Sequence, residues 1–197
     1  MRANKGERLR AAAVQMAYEQ GLERLTLANV AAAAEMPLGS LYYYFKTRDD
    51  VAEAVATDLS GQFLDRKADW DAAGSPAAAL KGFARMSIAL EGQLARYGCP
   101  VGTLLAQTGK LAEPTETRAG QVLVELTGWA ATQFAALGLA KDAAQAEARR
   151  MLRGLEGAAM MAHATGDTLH VREAVTEIEA RIDALAPEQA EISGEDA

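Results

Sequence analysis

An all-helical fold is predicted by three observations. Half of the 197 residues are hydrophobic, with alanine prominent and no long alternation of Val, Ile and Thr that would mark strands. Apolar residues recur at spacings of three and four, the period of an amphipathic helix. The five prolines all stand where a helix can begin or end, where a missing N–H costs least. The expected architecture is an N-terminal three-helix helix-turn-helix unit followed by a larger C-terminal helical domain.

The elements follow in order. Leu9, Ala13, Met16 and Ala17 form one stripe of a first helix from about residue 5 to Glu19, closed by Gly21. Thr26 is placed to cap a second helix with Leu27, Val30, Ala31 and Ala34 facing inward. Met36 to Gly39 reads as a turn, with Ser40 starting a third short helix through Phe45. Thr47 and Asp50 have the spacing of a capping box, with Asp in place of the usual Glu or Gln, and predict a fourth helix to about Arg66. Asp71–Ala78 is the strongest break. Beyond it, helices are expected from Pro76 to about Tyr97, near Leu104, from about Glu113 to Leu137, from Lys141 to Ala164 and from Leu169 to Leu185. The acidic tail lacks aromatics and is expected to be disordered. The corresponding domains are 1–47, a connecting helix 48–70, a second domain 71–186 and the tail 187–197.

Charge divides with this architecture. The chain carries −7 overall, yet residues 1–48 hold seven basic against four acidic residues, a net +3 that leaves −10 for the remainder. A small basic module on an acidic body suits contact with a polyanion. One cysteine excludes an internal disulfide framework. The N-terminus carries no secretion pattern and no segment approaches a membrane span, so the expected location is the cytoplasm.

The segment "LGSLYYYFK", Leu38–Lys46, carries the densest functional signal. Successive helical residues step by about 100°. With Leu41 taken as inward, Phe45 falls beside it and Tyr43 nearly opposite. Tyr42 and Tyr44 straddle the boundary, each able to bury a ring and wet its hydroxyl. Tyr43, next to Ser40 and Lys46, suits contact with phosphates and thymine methyls, and Gly39 permits close backbone approach. Leu38 projects inward.

"RLTLANVAAAAEMPLGSLYYYFKTRDDV" resembles the DNA-binding domain of the TetR family of bacterial one-component repressors, over about Leu9 to Val51. The resemblance implies backbone contacts from Thr26, Tyr43, Tyr44, Lys46 and Arg48, and places Leu38, Gly39, Ser40 and Tyr42 near base edges. Two positions depart from the family pattern. Glu35 stands where glycine is usual in the turn, and Pro37 where a serine cap is usual, leaving Ser40 to cap a shorter helix. Leu38 offers only apolar contact, which favours shape readout. Arg2, Lys5, Arg8 and Arg10 supply either phosphate or minor-groove contacts from the N-terminal arm or a solvated charged face.

The C-terminal half resembles the family's ligand-binding and dimerisation domain in architecture. Leu155, Ala158, Ala159 and Ala162, then Val171, Val175, Ile178 and Ile182, line one face of its last two helices, which in the family pair with their mates. Phe83, Met86, Leu90, Cys99, Leu104, Trp129, Gln133 and Phe134 are the candidate ligand-binding residues, each of which can equally be core. Their character suits a small apolar or aromatic effector.

"YGCPVGT", Tyr97–Thr103, surrounds the single cysteine with two glycines and a proline. Cys99 is either a sensor of oxidants and electrophiles or an inert small hydrophobe. His163 and His170 lie on different helices with no Cys/His cluster, so no metal or other cofactor is expected. No nucleophile–base spacing points to an enzyme. The expected function is a homodimeric regulator that binds near-palindromic operator DNA and responds to a small molecule, most simply as a repressor. An activator, or a helical binding or scaffold protein with a vestigial DNA head, are the alternatives.

Overall fold

A computed structural model describes residues 5–21, 24–108 and 117–186, with backbone only at 48, 49, 64, 107 and 108. Ten helices succeed one another, and no strand occurs among the described residues: α1 Lys5–Gln20, α2 Leu27–Ala33, α3 Leu38–Tyr44, α4 Arg48–Asp71, α5 Pro76–Ala89, α6 Glu91–Tyr97, α7 Pro100–Thr108, α8 Arg118–Ala136, α9 Lys141–Thr165 and α10 Leu169–Leu185. The predicted start of α8 near Glu113 and the acidic tail fall outside the described residues.

The head is built by α1, α2 and α3 around Leu9, Ala13, Leu25, Val30, Leu41 and Phe45, all buried. Thr26 caps α2 as expected, its Oγ1 accepting the Asn29 N–H at 3.1 Å. The turn after α2 lies earlier than the sequence suggests. Met36 N–H donates to Ala31 O at 2.9 Å and Glu35 N–H to Ala32 O at 3.0 Å, the paired bonds of a Schellman ending. Glu35 takes the left-handed position with φ 54° and is the one non-glycine residue there among those described. Pro37 then serves as the N-cap of α3, with extended backbone and no side-chain bond. Ser40 is therefore not the cap: its N–H donates to Pro37 O at 2.9 Å inside the first turn. A proline at this boundary loses nothing by lacking an N–H, so α3 starts two residues sooner.

The Thr47–Asp50 capping box forms with both bonds present. Asp50 Oδ2 accepts the backbone N–H of Lys46 at 2.8 Å and of Thr47 at 2.9 Å. The Lys46 N–H above all, then that of Thr47, holds its carboxyl below the usual range. From there α4 continues past Arg66 to Asp71, because Trp70 is buried in the body. Trp70, Phe83 and Trp129 join α4, α5 and α8 with ring centroids 4.9–5.6 Å apart. Such contacts add about 0.5–1.5 kcal/mol per pair beyond area burial.

The predicted Pro76–Tyr97 helix is two. Leu90 breaks it with φ −108° and ψ 5°, ending α5 and starting α6. Leu90 packs beside Leu94, Ala159, Ala162 and Val171, a small cluster of its own. In the body α8 lies along α9, while α10 lies against both α9 and α5. Ion pairs Lys81–Asp183, Arg85–Glu179, Arg172–Glu91 and Arg181–Glu147 fasten α10 to α5, α6 and α9. Leu155, Ala159, Ala162, Val171, Val175 and Ile182 are buried within the chain itself. The apolar face expected to meet a second copy is thus spent on this core, because α10 folds back between α9 and α5.

An L-residue in the left-handed region is disfavoured by about 1–2 kcal/mol, partly offset by the entropy glycine loses on folding. Glu35→Gly is therefore expected to stabilise the chain by about 0.5–1 kcal/mol. A raised urea midpoint at unchanged m-value is the signature; a lowered midpoint contradicts the turn geometry.

Candidate nucleic-acid interface and effector cavity

Two sites emerge, one on α3 and one inside the body. In α3, Leu41 is fully buried and Phe45 nearly so, which fixes the helix's rotation. Tyr43 is 85% exposed, Tyr42 52%, Tyr44 41% and Leu38 41%. Tyr42 and Tyr44 are about half exposed, between the buried Leu41 and the outermost Tyr43. Leu38 is also on the outside despite its inward projection, since it sits at the end of α3 that leads the turn. The Tyr43 and Tyr44 rings meet edge to face at 5.1 Å, which presents both hydroxyls from one aromatic unit.

Around this row, Gly39 and Lys46 are exposed and Ser40 is half-buried. A Cβ built on Gly39 meets no atom within 4 Å, so nothing inside the chain requires glycine there. Thr26 Oγ1 accepts at the α2 cap and keeps its own hydrogen to donate. The Arg48 side chain and Arg2 lie outside the described residues. Arg8 is engaged elsewhere: its Nη2 donates to Ala34 O at 2.8 Å, tying α1 to the end of α2. Lys5 and Arg10 are exposed. The surface can therefore donate hydrogen bonds from hydroxyls and an ammonium and lay aromatic and aliphatic faces on an apolar edge, the chemistry of phosphate and base-edge contact.

The body's candidate residues divide among three cavities. Phe83, Met86, Leu90 and Cys99 line a central cavity of about 100 Å³ walled by α4, α5, α6, α7, α8 and α9. Trp129 and Gln133 line a groove of about 490 Å³ between α4 and α8. There Asp71 Oδ1 accepts the Trp129 indole N–H at 2.7 Å and Gln133 Nε2 at 3.4 Å, and Asp71 Oδ2 pairs with Lys67 at 2.7 Å. The Lys67 ammonium, then the indole, holds the Asp71 carboxyl low. Leu104 and Leu90 line a third space of about 320 Å³ beside α1. Phe134 is buried and lines none of the three.

Sequence reasoning missed Glu156 and Tyr18. Glu156 lies on the wall of the central cavity and accepts the Cys99 thiol at 3.2 Å. Tyr18 of α1 donates its hydroxyl to Gly98 O at 3.1 Å, one residue before Cys99, and stacks at a tilt on Tyr97 at 5.2 Å. Burial, then the neighbouring Cys99, pushes the Tyr18 phenol up to about 12. Gly98 has φ 79°, and a Cβ there would press on Thr103 Oγ1 at 3.2 Å. The glycines of "YGCPVGT" thus make a tight corner between α6 and α7. Burial and the Glu156 carboxyl push the Cys99 thiol up to about 12.

No helix among the described residues is long and apolar enough to cross a membrane. The family model for bacterial regulatory proteins of the tetR family matches residues 9–55. That for the C-terminal domain of LmrA/YxaF-like transcriptional regulators matches residues 76–177, more than half of the chain. No curated protein matches in sequence. Among solved structures, a TetR transcriptional regulator from Legionella pneumophila is 17% identical with a TM-score of 0.82, covering 91% of this chain and 98% of its own. A regulatory protein TetR from Rhodobacter sphaeroides is 23% identical with a TM-score of 0.77, covering 90% and 98%. The TetR-family regulator SCO4454 from Streptomyces coelicolor is 15% identical with a TM-score of 0.78, covering 92% and 96%. These likenesses establish the fold, and with family models matching both the helix-turn-helix head and the helical body, the chain belongs to the TetR family of bacterial transcriptional regulators.

Proposed function

We propose that this regulator is a repressor, binding a near-palindromic operator as a homodimer and leaving it when a small molecule occupies the body. The observation that carries the DNA-binding part is the row Leu38, Tyr42, Tyr43 and Lys46, turned to solvent by a helix that Leu41 and Phe45 anchor. Under this reading Thr26, Tyr43, Tyr44, Lys46 and Arg48 grip the backbone, while Leu38, Gly39, Ser40 and Tyr42 lie near base edges. The head is 1–47, the connecting helix 48–70 and the sensing and pairing domain 71–186. One such head reads few base pairs, and two heads about one helical turn apart read a symmetric site.

A second copy is expected on the outer faces of α9 and α10, where Met160 is 72%, Met161 48% and Leu169 50% exposed. The central cavity is the preferred effector site. Leu59, Gln62, Phe63 and Arg66 bring α4 to its wall, and the Gly98 corner beside it is bonded to α1. A ligand that enters presses on the helix that carries the head. If it favours a different spacing of the two heads, it must weaken DNA binding by the same coupling free energy.

Tyr43→Ala and Lys46→Ala are each expected to lower affinity for a duplex selected from a random pool by about ten- to a hundredfold. Size-exclusion mass should stay that of a dimer. Unchanged affinity in a mobility-shift titration contradicts the docking. Release through Cys99 modification is disfavoured, because the thiolate is the reactive form and burial suppresses it. Alkylation by iodoacetamide at neutral pH should be at least about a hundredfold slower than for free cysteine. A rate like that of the free thiol would restore the electrophile-sensing role.

A further inference from the structure

The central cavity is largely apolar; besides the Cys99 thiol, its polar lining side chains are Gln62, Ser87, Arg66 and Glu156, of which two carry charge. Arg66 stands at its exposed side, and Glu156 is set into the wall among Leu94, Leu123, Leu152 and Leu155. The two inward carboxylates of α9 are treated differently by the fold. Glu147 is held bidentately by Arg181, with Arg150 at 3.5 Å. Glu156 makes no ion pair among the described residues; the hydrogen bond it receives is from the Cys99 thiol, a weak donor. The fold also makes room for its second oxygen. A Cβ at Gly102 would lie 2.9 Å from Glu156 Oε2, so a side chain at 102 would displace the carboxyl from the cavity wall. Burial raises its pKa from the ordinary value, the signature of a carboxyl removed from water with no positive charge to compensate it.

We infer that Glu156 is the specificity-determining residue of the effector site, and that it selects a small organic ammonium ion with an aromatic or aliphatic body. The inference rests on the reading of the central cavity as the effector site. The ammonium supplies the three strong donors and the positive charge that Cys99 cannot, in surroundings where a charge-assisted bond is strengthened by low dielectric. The apolar wall takes the body. At about 100 Å³ the cavity lies well below the roughly 300–1,000 Å³ of drug-sized sites and below the roughly 150 Å³ that holds benzene, so a single-ring amine enters by widening the wall at its exposed side and a polycyclic drug is excluded. The carboxyl moves off the thiol as the ammonium arrives, and the Gly98–Gly102 corner loses the contact that holds Cys99.

The test uses the full-length protein without DNA and a matched pair of probes, 2-phenylethylamine and 2-phenylethanol, which differ in ammonium against hydroxyl. Calorimetric titration should show the amine binding at least tenfold more tightly than the alcohol. In Glu156→Gln, which keeps the shape of the side chain, that preference should collapse to less than threefold. Equal affinities in the unaltered protein, binding of neither probe, or a preference that survives Glu156→Gln would each overturn the inference. The comparison in the unaltered protein decides even if the variant folds poorly. Because no operator is present, failure here leaves the repressor reading standing, whereas loss of operator binding is read from the α3 variants alone.

Discussion

Helix α4 is held at both ends by carboxylates, and the relation of head to body depends on it. At its start, Asp50 closes the capping box by accepting two backbone N–H groups directly after the recognition helix. At its end, Asp71 accepts the Trp129 indole of α8 beside the aromatic triad of Trp70, Phe83 and Trp129. The helix spans 24 residues, about 36 Å. Under the proposed effector reading, a ligand in the cavity presses on the middle of a helix whose two ends are anchored. Its middle is where Leu59, Gln62 and Phe63 line the central cavity.

A second link runs beside it. The Tyr18 hydroxyl joins α1 to the Gly98 carbonyl, and the next residue, Cys99, joins that corner to Glu156 of α9. The head therefore meets the walls of the central cavity through α4 and through the glycine corner. This geometry gives a purpose to "YGCPVGT" that its cysteine alone does not. The glycines set a close approach, and the half-buried thiol donates to Glu156.

Much of this was legible in the sequence where a local rule carried the information. Thr26, Thr47 with Asp50, and Gly21 marked helix ends because caps and left-handed turns demand particular residues. The inward pair Leu41 and Phe45 followed from helical period alone. The break at Leu90 has no proline, and its cause is packing against α9 and α10, which no local pattern encodes. Pro37 as the α3 cap was hidden because Ser40 offered a more familiar one. The inward faces of α9 and α10 read correctly as apolar, but period cannot tell burial in the same chain from burial against a mate. Glu156 and Tyr18 were invisible for the same reason. Each lies on a long helix whose pattern it does not disturb, and its meaning comes from a residue more than fifty positions away.

Under the proposed function, two copies of this head read one duplex at a spacing the body controls. The sequence architecture enriched by repeated selection from a random duplex pool tests it most directly. Inverted half-sites are expected, with centres one turn of B-form DNA apart, roughly 34–36 Å. A single unsymmetrical site, or a pool with no enrichment over bulk duplex, would contradict it.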